Sequence, residues 1–235
     1  MLVVPFIIQH KFRFKGVVMK IPQLLAKGLA LSMLVATASF GFNEGTDYIK
    51  LEKPINNADK TLIKVFSYDC PFCYKYDKAV TPGVVAKLPN GVSFKPFHLK
   101  TKGKYGIQAS ELFATLIIKD KDNGIQSLFD EKSQFKKAKM AYYKAYHDKK
   151  ERWDSGAESF LETGLAASGI SKADFEKAKE DPRVKAMISE WEQSYDVAKI
   201  QGVPAFVVNG KYLIYTQSIK SPQGMLDLVN ELLAK

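Results

Sequence analysis

Cysteine and histidine are scarce in this chain, and that scarcity narrows its chemistry. Two cysteines, Cys70 and Cys73, are too few for a disulfide-stapled scaffold or for a four-cysteine zinc site. His10, His98 and His147 are scattered rather than paired at ligand spacing, so no metal site is expected. Acidic residues are missing from the start of the chain, where Lys11, Arg13, Lys15, Lys20 and Lys27 precede the first acid, Glu44. The uncharged stretch from Gly28 to Phe42 is about fifteen residues, short of the roughly twenty that cross a bilayer. A basic segment, an apolar stretch and the small-x-small pattern Ala36-Thr37-Ala38 read as a cleaved secretory signal over residues 1–38, with Met19 a plausible true start. Export carries the cysteines into an oxidising compartment, where a disulfide persists.

What remains is 46% hydrophobic across the chain, enough for one sizeable core or one core with a helical elaboration. Tyr48 to Lys53 reads as a short strand and Thr61 to Tyr68 as a nearly continuous apolar strand, buried on both faces. A helix follows from the cysteines to about Leu88. Gly91 to Leu99 is a third strand, alternating Val92, Phe94 and Pro96 against Ser93, Lys95 and Phe97, and it completes a β-α-β unit.

From Ile107 to about Ile200 the period is helical. Leu112, Phe113, Leu116 and Ile117 share one helical face, and Phe135, Ala138, Tyr142, Ala145 and Tyr146 share another. Asp181-Pro182 is an N-cap followed by a first-turn proline, and Ser171 to Asp174 is a weaker capping box. Strands return with Pro204 to Gly210, an Asn209-Gly210 hairpin turn and Lys211 to Tyr215, before an amphipathic helix from about Ser221. This order describes an α/β core split in sequence, residues 39–105 and 196–235, with an all-helical insertion over 106–195.

Cys70 ends a buried strand and begins a helix, with Pro71 where a missing N–H costs nothing. The unpaired N–H groups and positive partial charge of a helix N-terminus favour a Cys70 thiolate. Cys73, one turn on, faces the same side. The pair reads as redox-active, with Cys70 the exposed nucleophile and Cys73 the resolving thiol. A static staple, which closes too small a loop to stabilise much, and half of an intermolecular metal site are the other readings.

The segments "FSYDCPFCYKYD" and "IQGVPAFVVNGKYLI" resemble the two signature segments of the DsbA family of bacterial periplasmic thiol oxidases, and the helical insertion stands where that family has it. The resemblance spans essentially all of the chain after the signal. Phe72, the lack of further cysteines and the lysine surplus are closest to the DsbL branch. It implies a thioredoxin-like fold with an inserted helical domain, and a periplasmic dithiol oxidase that donates its disulfide to folding exported proteins without a cofactor. It also implies a cis bond at Val203-Pro204, laying the Val203 backbone beside Cys70 so that substrate docks there as an added strand. The implied partners are a DsbB/DsbI-type quinone-linked membrane protein and a narrow substrate set that includes arylsulfate sulfotransferase. A monomer is expected, and nucleic acid is not an expected partner.

Redox tuning is where the sequence departs from the commoner pattern of that family. Phe72 stands where DsbA-type sites usually carry a histidine that helps hold the thiolate, and Lys64 falls where a buried glutamate is usual. Lys64 either snorkels to the sheet edge or places a cation near the thiolate. Asp69 works against the thiolate unless it caps the helix or points to solvent. The thiolate of Cys70 is expected to titrate below about pH 6. His98 reads as a strand-end histidine satisfied by backbone, and His147 as lying on an exposed helical face. Tyr68, Phe72 and Tyr74 are candidate apolar contacts around the cysteines. Between Lys132 and Arg152 eight bases face two acids, either a solvated helix surface or a face that steers acidic substrates. A reductase or isomerase, and a chaperone with incidental cysteines, are the competing functions.

Overall fold

The computed structural model describes residues 41–235; the expected signal over 1–38 and the alternative start at Met19 lie outside them. Two short strands open the described chain, β1 (Tyr48–Lys50) and β2 (Thr61–Phe66). Every β2 residue is buried, as its apolar run requires of a strand covered on both faces. Two helices follow, α1 (Pro71–Ala79) and α2 (Thr81–Val85), where one helix to Leu88 was expected. Pro82 explains the break: it has no N–H for the helical ladder, and its ring would collide with the carbonyl four residues earlier, so the helix restarts at Thr81.

Strand β3 (Ser93–His98) pairs parallel to β2. Its expected alternation fades along its length, because Pro96, Phe97 and His98 are all buried, the strand entering a region covered on both sides. Helices then occupy the chain from Gly106 to Gln201: α3 (Gly106–Asp122), α4 (Gln134–Tyr143), α5 (Ala157–Ser168), α6 (Lys172–Ala178), α7 (Pro182–Trp191) and α8 (Ser194–Gln201). Ser133, Ser171 and Asp181 cap α4, α6 and α7 through side-chain oxygens that accept from backbone N–H groups in the first turn. A single π-helical turn, Lys144–Asp148, continues α4.

Strands β4 (Ala205–Val208) and β5 (Tyr212–Ile214) form a hairpin, and α9 (Pro222–Leu233) closes the chain. Asn209 and Gly210 both have positive φ, 53° and 65°, the left-handed pair that a tight hairpin turn requires. The sheet runs β1-β5-β4-β2-β3, parallel only between β2 and β3. Leu62, Phe206, Val208 and Ile214 pack with Met225, Leu228 and Val229 of α9. Ile63, Val65, Val207 and Leu213 belong to the larger core shared with the helices between β3 and β4. Burying a large apolar side chain is worth about 1.5–3 kcal/mol, so both faces of β2 are heavily anchored, and the turn at its C-terminal end is held from behind.

Candidate active site

Cys70 is the N-cap of α1. Its extended backbone (φ −91°, ψ 112°) turns the chain from strand to helix, Pro71 opens the first turn, and the Cys73 N–H donates to Cys70 Sγ at 3.0 Å. A sulfur thus occupies the position where a helix usually receives a serine or aspartate oxygen, and it meets the helix's unpaired N–H groups and positive end. Cys70 and Cys73 are joined as a disulfide, with Cα atoms 5.2 Å apart.

From the far side, the loop before β4 brings the Val203 carbonyl oxygen to 3.2 Å from Cys70 Sγ, and the Val203-Pro204 peptide bond is cis. This loop and the disulfide leave Cys70 only 2% exposed and Cys73 fully buried. The expectation of an exposed Cys70 is therefore corrected for the disulfide form: its sulfur is folded back over the first turn and covered by the Val203 backbone. Phe72 is 59% exposed, with the Lys75 ammonium 5.2 Å from its ring centre. Tyr68 and Tyr74 are buried, so of the three aromatics only Phe72 presents a surface.

Lys64 does not snorkel. It lies in the middle of β2, opposite Phe206 of β4 and Pro96 of β3, and is 1% exposed. Its Nζ donates to Asp77 Oδ1 at 2.6 Å, to the Cys73 carbonyl at 3.3 Å and to Thr81 Oγ1 at 3.4 Å. Burial pushes its pKa down to about 8, opposed by Asp77. The other Asp77 oxygen lies 3.1 Å from Lys139 Nζ, itself 3% exposed. Burial alone would push the Asp77 carboxyl up, but Lys139 and then Lys64 hold it below the usual carboxylate range. Lys139 belongs to the expected basic face, yet it points inward; Lys132, Lys137, Lys144, Lys149, Lys150 and Arg152 remain exposed.

Asp69 neither caps α1, a role Cys70 takes itself, nor points freely into solvent. Its largely covered carboxylate sits 3.5 Å from Lys102 Nζ. His147 also departs from expectation. The π-helical turn swings it inward, where Nε2 donates to the Tyr68 carbonyl at 3.2 Å and the ring stacks on Tyr74 with centres 5.8 Å apart. Burial lowers its pKa below the ordinary value. In the same turn Asp148 accepts from the Tyr74 hydroxyl at 2.8 Å; burial, then this bond, raises Tyr74 to about 12. One turn thus grips the residues on both sides of the cysteine pair. His98 finds a hydroxyl rather than backbone: its Nδ1 and Ser110 Oγ are 2.7 Å apart, and burial pushes its pKa down to about 3.

The arrangement is suited to thiol–disulfide exchange, in which two sulfurs carry the electrons themselves. A family model described as "DSBA-like thioredoxin domain" matches residues 61–226. The chain is 65% identical over 214 residues to the thiol:disulfide interchange protein DsbL of Escherichia coli O6:H1, covering 90% of this chain and 94% of that protein. It is 62% identical over 224 residues to DsbL of Lelliottia amnigena, covering 94% and 96% respectively. The crystal structure of reduced DsbL superposes with a TM-score of 0.80 at 67% identity, covering 83% of this chain and all of that one. DsbL of Salmonella enterica serovar Typhimurium gives 0.81 at 66%, covering 83% and 98%.

Proposed function

Because the chain belongs to the DsbA family, on its DsbL branch, and is a thiol:disulfide oxidoreductase, we propose that it acts as a periplasmic oxidase that donates the Cys70–Cys73 disulfide to exported proteins as they fold. The observation that carries this reading is Cys70 as helix N-cap, its Sγ receiving the Cys73 N–H at 3.0 Å. That donor and the helix N-terminus favour negative charge on Cys70, which makes the reduced form the stable one and the disulfide a ready donor. Lowering a thiolate pKa by roughly 3–4 units stabilises the reduced form by about 4–5.5 kcal/mol, or roughly 90–120 mV for a two-electron couple.

In the proposed cycle a substrate thiolate attacks Cys70 Sγ and Cys73 leaves. A second substrate thiolate then attacks the substrate sulfur of the mixed disulfide, and Cys70 departs as thiolate. Pro71 opens the turn without demanding a partner for an N–H, and Val203 and Pro204 line the approach, the Val203 carbonyl being within reach of a substrate backbone. Phe72 offers an apolar contact at the rim. Asp69, paired with Lys102, is kept from opposing the thiolate at full strength. A DsbB/DsbI-type quinone-linked membrane protein restores the disulfide. The exposed bases between Lys132 and Arg152 favour acidic partners, consistent with a narrow substrate set of the arylsulfate sulfotransferase kind.

The test is stoichiometric transfer. The oxidised protein should form one disulfide per molecule in a reduced two-thiol peptide, and Cys70→Ser should abolish this. A C70S variant retaining full activity in the cell would leave only a binding or chaperone function standing.

A further inference from the structure

The redox pair rests on a buried charge cluster assembled from three elements. Lys64 of β2 and Lys139 of α4 hold opposite oxygens of Asp77 in α1, at 2.6 and 3.1 Å, and none of the three side chains is more than 3% exposed. Two ammonium groups share one carboxylate, so one positive charge is left uncompensated where solvent screens it least. Lys64 Nζ also donates to the Cys73 carbonyl, which fixes that charge against the helical turn carrying both sulfurs. The disulfide has no charge to answer it. On reduction two substrate thiols give up two electrons and two protons and become a disulfide. One proton ends on Cys73, the other goes to solvent, and Cys70 keeps a negative charge.

We propose that the Lys64–Asp77–Lys139 cluster is an electrostatic bias toward the reduced form, in which Lys139, supplied by the helical region, is a redox-tuning residue of the same sign as Lys64, and Asp77 opposes both. This rests on Cys70–Cys73 being the exchanging pair. A cluster that merely tied α1 to β2 and α4 would stabilise oxidised and reduced protein alike and leave their equilibrium unmoved.

Lys139→Met is the sharper test, because it removes the surplus charge and leaves the Lys64–Asp77 pair intact; Lys64→Met removes the same charge from the other side. Both are equilibrated with the glutathione couple, and urea stability is measured in both redox forms, so that a destabilised variant still reports the difference between them. Each variant is expected to shift the equilibrium toward the disulfide by about tenfold, the size of a unit charge acting over several ångströms in a partly polarisable interior. Lys139→Arg should keep the wild-type equilibrium, since a cavity of about 280 Å³ beside Lys139, lined also by Phe129 and Lys136, has room for the guanidinium. A folded K139M within twofold of wild type, with equal stability losses in both redox forms, overturns the proposal. Active C70S would overturn the exchanging pair itself, a separate outcome.

Discussion

Asp77→Asn keeps the shape of a side chain and deletes the carboxylate that two buried ammonium groups share. In the native protein Lys64 Nζ is 2.6 Å and Lys139 Nζ 3.1 Å from opposite Asp77 oxygens, with side-chain exposures of 2%, 3% and 1% for Lys64, Lys139 and Asp77. Removing one partner of a buried ion pair costs about 3–5 kcal/mol, because the remaining charge is stranded away from water. Set against a typical total stability of about 5–15 kcal/mol, that is a large fraction. Urea unfolding of oxidised D77N near neutral pH should therefore show a loss of this size. The loss should also depend on pH in a definite direction. Lys64 is already pushed down to about 8 by burial, and without Asp77 it falls further, so the folded variant binds fewer protons than its unfolded chain over the alkaline range. Stability then rises with pH there, and the gap to wild type narrows up to about pH 8, above which native Lys64 has lost its proton as well and the two profiles run parallel. A loss below about 1 kcal/mol, or one that does not change with pH, would refute the assignment of Asp77 as counterion to both lysines.

Further expectations concern other parts of the molecule. The ultraviolet thiolate signal of the reduced protein should titrate below about pH 6, and a midpoint above about 7 would contradict a Cys70 sulfur stabilised by the helix N-terminus. His98 is held neutral in the folded state, its pKa down at about 3 against 6.5 unfolded, so the unfolded chain gains a proton that the folded one refuses. Stability should fall by about 2 kcal/mol between pH 7 and pH 5 from this group alone, and His98→Phe should flatten that part of the urea profile; parallel profiles would show the group titrating normally. Gly210→Ala should lower the melting temperature by several degrees, since position 210 has φ 65° and a Cβ there runs into the Ile55 carbonyl oxygen and the Ala58 side chain; the strain corresponds to about 2 kcal/mol. An unchanged melting temperature would mean the turn relaxes freely.

Much of the fold was legible because its boundaries are written in local chemistry. Asn209-Gly210 can hardly be anything but a hairpin turn, Asp181-Pro182 and Ser171 are caps on any reading, and the strand leading into Cys70-Pro71 sets sulfur at a helix start. Pro82 is the exception, a local signal outweighed by the apolar pattern on either side of it. The features that escaped are those fixed by distant partners. Lys139 looks like one more base in a basic run, and its burial rests on Asp77, from another helix, and on the rings of Phe129 and Phe135 that face its ammonium. The same carboxylate decides between the two readings of Lys64, since a lysine snorkels when nothing inside will take its charge. His147 was placed on the surface by ordinary helical spacing, and the π-helical turn that swings it toward Tyr68 has no signature in the residues themselves. The family resemblance already implied Val203 beside Cys70; what it did not imply is that this backbone and the disulfide together bury the sulfur.

The claim on which the rest depends is that the cysteine pair works as an oxidant, and its resting state in living cells tests this most directly. Acid-quenching cells that express the protein together with the proposed quinone-linked membrane protein, then alkylating free thiols, separates the two forms by mass. Cys70 and Cys73 should be found as the disulfide, the form kept ready for donation. A resting dithiol in the same cells would contradict it and assign the protein to reduction or isomerisation instead.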